Sequence, residues 1–217
     1  GVIHQFAMDP NSGELTTSAL DLPVGNDPSE VLVEPRGSLL FALDIPAQAL
    51  WSLQVDEDGI LSAAQSTVLS TPIDPRTMAL NPLGTVLYLA TGGAQASPAV
   101  HAYSINQETG ELSLIAARTL SLTPSSLAPD PTGHWLIAAD SSSGLLASIP
   151  VNGDGSLDQI ASVSTLTITG GPAALTFSRN GQDFFVAFAD AHLIRGFRLD
   201  ADSGAISTAR WRNSIHD

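Results

Sequence analysis

The chain has 217 residues, enough for one large domain or two small ones around a sizeable core. Its 22 acidic side chains face only 8 cationic ones, all arginine, giving a formal charge of −14; a surface of that sign repels phosphate backbones and anionic lipid, so neither nucleic acid nor a membrane is an expected partner. Cysteine is absent, which excludes disulfides, thiolate metal sites and a cysteine nucleophile.

The first stretch, Gly1-Val-Ile-His-Gln-Phe6, has neither the basic start nor the apolar segment of a secretory leader. No apolar run reaches the roughly 18 residues that cross a bilayer, and the compartment stays open. Val2, His4, Phe6 and Met8 alternate with Ile3, Gln5 and Ala7, the period-two pattern of a half-covered strand. The turn Asp9-Pro-Asn-Ser-Gly13 leads into a second strand, Glu14–Leu20. The same hairpin returns at Ala49–Val55 with Asp56-Glu-Asp-Gly59, and at Ala99–Ile105 with Asn106-Gln-Glu-Thr-Gly110. It recurs at Leu145–Val151 with Asn152-Gly-Asp-Gly155, and at Leu193–Leu199 with Asp200-Ala-Asp-Ser-Gly204. Each turn supplies Asn or Asp and then Gly, residues that accept positive φ and close a hairpin.

Between the hairpins a second motif repeats: Pro28-Ser-Glu-Val-Leu-Val-Glu-Pro-Arg-Gly37, then Pro75–Gly84, Pro124–Gly133 and Pro172–Gly181. The leading prolines lie 47, 49 and 48 residues apart (75−28, 124−75, 172−124). After each closing Gly comes an apolar strand: Leu39–Leu43, Val86–Ala90, Trp135–Ala139 and Phe184–Phe188. Apolar character on both sides of a strand predicts that both faces are covered. The unit is therefore four short strands, and four-stranded units at this period predict an all-β propeller of antiparallel blades.

The motif pair occurs four times and the hairpin pair five, which predicts about four and a half blades. We expect one propeller domain over 1–217, with a half blade at 1–21 and repeats near 22–70, 71–120, 121–168 and 169–213. The half blade leaves a strand edge, so two expectations follow: the chain is part of a longer propeller, or it self-associates through the incomplete blade.

The unit resembles the lactonase-like seven-bladed propellers, a family that includes 6-phosphogluconolactonases and repeats named for Tyr-Val-Thr-Asn. The resemblance rests on Pro-x-Gly at 35–37, 82–84 and 131–133, on Leu-Tyr-Leu-Ala at 87–90, on Val100-His-Ala-Tyr-Ser-Ile105 and on Glu108-Thr-Gly-Glu-Leu112. It implies that the first strand of each blade lines a central channel, with an Arg-His pair at the ligand end. Those slots hold Ser29-Glu30, Arg76-Thr77, Ser125-Ser126 and Ala173-Ala174 here; Arg76 alone matches, and no slot holds His.

Opening a sugar lactone takes a base that activates water and a cation or amide donors for the oxyanion. Glu30 is the candidate base, and Arg76 the candidate catalytic cation and ligand anchor, able to grip a carboxylate or phosphate bidentately. Thr77, Ser125 and Ser126 complete the candidate ligand site. Two readings stand side by side: a lactonase-like propeller for a small anionic or sugar-derived ligand, and a non-catalytic propeller serving as a protein-interaction or surface module.

The remaining polar residues point to structure rather than chemistry. His4, Trp51, His101, Ala147 and Arg195 share one third-strand position, which predicts packing on a blade face. His134 and His216 read as exposed, and Asp190 with His192 is too sparse for a metal site. The acidic hairpin turns lack the regular ligand spacing of a calcium loop. Asp140-Ser-Ser-Ser-Gly144 carries no nucleophile elbow. No metal and no cofactor is expected.

Overall fold

In a computed structural model of the chain, residues 1–69, 73–94, 96–165 and 171–208 are described. Backbone contacts divide them into two compact units. The first holds β1 (Val2–Met8), β2 (Leu15–Pro23), β3 (Pro28–Val33), β4 (Leu39–Asp44), β5 (Ala49–Val55) and β6 (Leu61–Val68), with the turn Gln107–Glu111. The second begins with β7 (Pro75–Leu80), β8 (Val86–Thr91), β9 (Ala99–Ile105) and β10 (Leu112–Thr119). It continues with β11 (Ser126–Pro129), β12 (Trp135–Asp140), β13 (Leu145–Pro150) and β14 (Ser162–Thr165). Its last strands are β15 (Ala174–Phe177), β16 (Asp183–Phe188), β17 (Leu193–Leu199) and β18 (Ile206–Thr208).

Each run of four, from β3, β7, β11 and β15, is an antiparallel sheet of sequential neighbours, and β1–β2 is a two-stranded one. No helix occurs among the described residues. The fold is thus an all-β propeller of four-stranded blades accompanied by one half blade, as the repeats predict. The hairpin ends expected at 166–167 and 209–211, with Arg210, Arg212 and His216, lie outside the described residues.

The second strands show why their sequences are apolar throughout. In β12, Leu136 and Ala138 enter a core with Val86, Tyr88 and Ala90 of β8. The alternate residues Trp135, Ile137 and Ala139 enter another with Phe184, Val186 and Phe188 of β16. Period two therefore sends one strand into two cores, and each large side chain so buried contributes about 1.5–3 kcal/mol. In β16 only one face is covered: Phe184 stacks on Phe197 with ring centroids 5.4 Å apart, while Phe185 stays 41% exposed. The expectation of two covered faces holds for β4, β8 and β12, all buried throughout, and fails for β16. In the first unit, Leu40, Ala42 and Leu53 pack with Val24, Trp51 and Ile3.

Two polar devices recur along the repeat. A buried or half-buried acceptor precedes each Pro-x-Gly turn and gathers its loose amides. Asn81 Oδ1 accepts from Thr85 N at 2.8 Å and Val86 N at 3.0 Å, and Asp130 Oδ1 accepts from Trp135 N at 2.7 Å. Glu34 takes Arg36 N and Ser38 N, both at 2.9 Å.

The other device is the glycine closing two of the third-to-fourth-strand turns of the second unit. Gly155 has φ +84°, and a Cβ there would lie 2.4 Å from Val86 Cγ2. Gly204 has φ +69°, and its Cβ would fall 2.3 Å from the Trp135 ring. Only glycine fits both the backbone angle and the space. Hydrogen bonds close the same contacts. Tyr88 Oη donates to Gly155 O at 3.3 Å, Ser148 Oγ to Gly204 O at 2.6 Å, and Trp135 Nε1 to Ala201 O at 3.0 Å. Burial, reinforced by the Asp154 charge, pushes the Tyr88 phenol up to about 12, so it stays a neutral donor.

Candidate ligand site at the blade starts

The Arg-His slots lie where the first strand of each blade begins, and a proline shapes that start. Proline has no N–H for the ladder and is tolerated at a first position or a bulge. In β7 the pairing passes from Pro75↔Thr91 to Thr77↔Ala90, and in β3 from Pro28↔Asp44 to Glu30↔Leu43. Arg76 and Ser29 are therefore the extra residues of two equivalent bulges, a feature that re-aims a side chain out of the ladder. The later blades start one step on, with Ser126↔Ala139 and Ala174↔Ala187. Glu30, Thr77, Ser126 and Ala174 thus share one register position.

Arg76 is exposed, and its Nη1 donates to Gly92 O at 3.0 Å. That bond fixes one end of the guanidinium fork. Thr77 beside it is half-buried. Within the second unit β11 lies between β7 and β15, so Arg76-Thr77, Ser125-Ser126 and Ala173-Ala174 stand on neighbouring strands. Ser125 Oγ donates to Ala139 O at 3.1 Å and accepts from Ser141 N at 3.0 Å, which engages its hydroxyl in closing the strand start. Ser29 Oγ makes the matching bond to Leu43 O at 3.1 Å in the first unit, where Glu30 is half-buried on β3.

One pair of groups at this end escaped the sequence reading. Asp44 and Asp140 close β4 and β12 and are buried, 0% and 4% exposed. Asp140 accepts from Thr123 N at 3.0 Å, Ser142 Oγ at 2.6 Å and Ser143 Oγ at 2.7 Å. Burial raises its pKa, but the hydroxyls of Ser142 and Ser143 and the amides of Thr123 and Ser142 outweigh this and hold it at about 2. Asp44 binds Asn26 N, Asp27 N at 3.2 Å and Ala47 N at 2.9 Å. Burial opposes its ionisation too, and those amides again win and lower its pKa. The signal was present: an acid ending an otherwise apolar strand, in two copies.

The histidines fall out as follows. Trp51 and Ala147 pack in cores as expected of their shared position, and half-buried His101 has its pKa lowered by burial. His4 departs from that pattern: it is exposed and its Nδ1 lies 2.8 Å from Asp21 Oδ1. His192 is exposed in a tight turn at φ +48°. No cluster of three or more His, Asp or Glu capable of holding a metal occurs among the described residues. No helix is long and apolar enough to cross a membrane among them either.

At the other end of the same strands lies an open cleft of about 290 Å³. The Asn81–Val86 turn, the Pro131–His134 turn and the Val151–Gly155 turn line it, all in the second unit. Arg76 is the second residue of β7 and Asn81 follows its end, so the two places are roughly 15 Å apart along the strand. Sequence reading placed His134 on the surface but gave it no part in a cleft.

Comparison with known proteins supplies the family. The chain superposes on a candidate 6-phosphogluconolactonase from Bacteroides uniformis with a TM-score of 0.80 at 19% identity, over 96% of this chain and 64% of that one. It superposes on the periplasmic gluconolactonase of Pseudomonas aeruginosa with a TM-score of 0.77 at 19% identity, covering 97% and 63%. A Lactobacillus plantarum protein gives 0.76 at 18%, covering 97% and 64%. Such identities show the fold, and the chain spans under two thirds of each of these structures. No curated protein matches the sequence. The family model described as lactonase, 7-bladed β-propeller, matches residues 1–128, more than half of the chain. By that match the chain belongs to the lactonase family of seven-bladed β-propellers.

Proposed function

We propose that this chain binds a small anionic, sugar-derived ligand at the blade starts and contributes to opening a sugar lactone. The observation that carries the reading is Arg76. It stands in a bulge, exposed, with one guanidinium nitrogen tied to Gly92 O. In a strongly acidic chain, a cation held this way is suited to a carboxylate, a phosphate or a developing oxyanion. Thr77 and Ser126 supply neutral hydroxyls on the same and the neighbouring strand, while Ser125 holds the strand start in place.

In lactone hydrolysis a carboxylate takes a proton from water as its oxygen attacks the ring carbonyl. The tetrahedral oxyanion then collapses, the ring C–O bond breaks, and the leaving oxygen takes up the proton to give the hydroxy acid. Arg76 would hold the anionic substituent or the oxyanion. Glu30, at the matching register of the first unit, has the chemistry of the base, and its contribution is measured separately.

The test is a panel of sugar lactones with acid release followed by pH-stat. Arg76→Ala should lower the rate by about a hundredfold, in the range of losing one oxyanion donor, and Glu30→Gln should lower it with little change in KM. Acid release no faster than buffer would sink the catalytic half of the reading. The second reading, a non-catalytic interaction or surface module, draws support from the engaged hydroxyl of Ser125 and from alanines at 173 and 174.

A further inference from the structure

The cleft at the far end of the strands presents acceptors that their neighbours hold in place. Thr132 Oγ1 has one hydrogen, and it goes to Asp130 Oδ2. His134 Nδ1 lies 3.0 Å from Thr132 Oγ1, which can then only accept. In the neutral imidazole the proton is then on Nδ1, and Nε2 presents a lone pair. Asp130, buried at 2% exposure and anchored by Trp135 N, fixes this chain of three groups from below.

The opposite wall repeats the pattern. Asn152 Nδ2 donates to Ser156 Oγ at 3.0 Å, which leaves its Oδ1 as the acceptor. Asp154 Oδ1 takes Ser156 N at 2.9 Å and Ser156 Oγ at 2.7 Å, which orients the carboxylate and leaves Oδ2. Asn81 spends one amide hydrogen and its oxygen on the Thr85–Val86 turn. His134 Nε2, Asn152 Oδ1 and Asp154 Oδ2 remain to accept. The volume, about 290 Å³, is at the small end of organic-ligand pockets.

We infer that this cleft is a second binding site, independent of the Arg76 end, for a small hydroxylated organic ammonium such as an amino sugar. The ammonium faces the Asp154 carboxylate, and donors from the ammonium and hydroxyls meet His134 Nε2 and Asn152 Oδ1. A charge-assisted bond to a carboxylate is stronger than a neutral one, so charge selects among ligands of equal size. The two ends of the strands would then take ligands of opposite sign.

The experiment is calorimetric titration with glucosamine, with glucose and gluconate as the neutral and anionic counterparts of the same size. Glucosamine is expected to bind more tightly than glucose by about tenfold, one charge-assisted hydrogen bond's worth. Asp154→Asn, which keeps the shape, should remove that preference, and His134→Leu should weaken glucosamine and glucose alike. Arg76→Ala should leave glucosamine binding unchanged. Circular dichroism of each variant checks that it is folded. Glucose or gluconate binding as tightly as glucosamine, no glucosamine binding at all, or a folded Asp154→Asn protein with its preference intact would each overturn the inference.

Discussion

The sharpest test of the packing is Gly155→Ala. Two separate costs meet at that residue. Its φ of +84° forces an L side chain into the left-handed region, worth about 1–2 kcal/mol. The new Cβ would also stand 2.4 Å from Val86 Cγ2 and 3.2 Å from Cγ1. Val86 is β-branched, stiff at χ1 and only 4% exposed, so it cannot swing aside, and overpacking of this kind adds about 1–3 kcal/mol. The total is about 2–5 kcal/mol. Gly133→Ala in the same unit isolates the first cost: its φ is +77°, but the nearest atom to its Cβ is Pro82 Cδ at 3.8 Å. Thermal unfolding followed by tryptophan fluorescence should give a drop of about 2–8 °C for Gly133→Ala, at roughly 2–4 °C per kcal/mol, and a drop about 2–12 °C deeper for Gly155→Ala. Adding Val86→Ala to Gly155→Ala should cost less than the sum of the two single changes, because it removes the clashing methyls. Equal losses for Gly133→Ala and Gly155→Ala, with no coupling to Val86, would refute the reasoning.

Asp140 makes stability depend on acid. Its folded pKa of about 2 lies below the unfolded value near 3.9, so its contribution, about 2 kcal/mol, is complete above pH 4 and is lost as pH falls towards 2. Asp140→Asn should flatten the acid limb of a pH–stability curve over that window; an unchanged limb would contradict the assignment. Ser148→Ala removes the buried 2.6 Å bond to Gly204 O and should destabilise by about 1–3 kcal/mol in urea unfolding. Among the described strands β1 pairs with β2 alone, and Val2, Phe6 and Met8 are 43%, 53% and 65% exposed. Light scattering should therefore show mass rising with concentration, and Phe6→Lys should suppress the rise; a constant mass would remove self-association from consideration.

The sequence made the blades legible because their signals are local. A Gly at positive φ after Asn or Asp, a proline at a strand start and a run of apolar residues each act within one repeat, and 48-residue spacing multiplies them. β5, β9 and β17 fall where their patterns place them, at Ala49–Val55, Ala99–Ile105 and Leu193–Leu199. What could not be read depends on neighbours distant in sequence. Phe185 looks as apolar as Ile137, yet only Ile137 has cores on both sides of its strand. The bulge that sets Arg76 apart is a register shift against β8, which a single strand's pattern does not contain. Ser125 and Ser126 look alike in sequence, and only the 3.1 Å bond to Ala139 O marks Ser125 as the strand anchor. The cleft by His134 joins three turns, 81–86, 131–134 and 151–155, that no motif connects.

The glycines that press on the preceding sheet have a bearing on how such a chain can be altered. Gly155 lies against Val86 and Gly204 against Trp135, so these turns act as keys cut to a neighbour's side chain. A longer loop, a peptide tag or a grafted binding sequence placed there would have to lift out of its slot, and the adjoining sheet would lose its contact with it. Gly37, with nothing within 4 Å of a Cβ there, marks a turn that can carry such an insertion. The turns of the repeats thus differ in what they tolerate: some are closed joints, and others are places where new surface can be built without pressing on a neighbouring sheet.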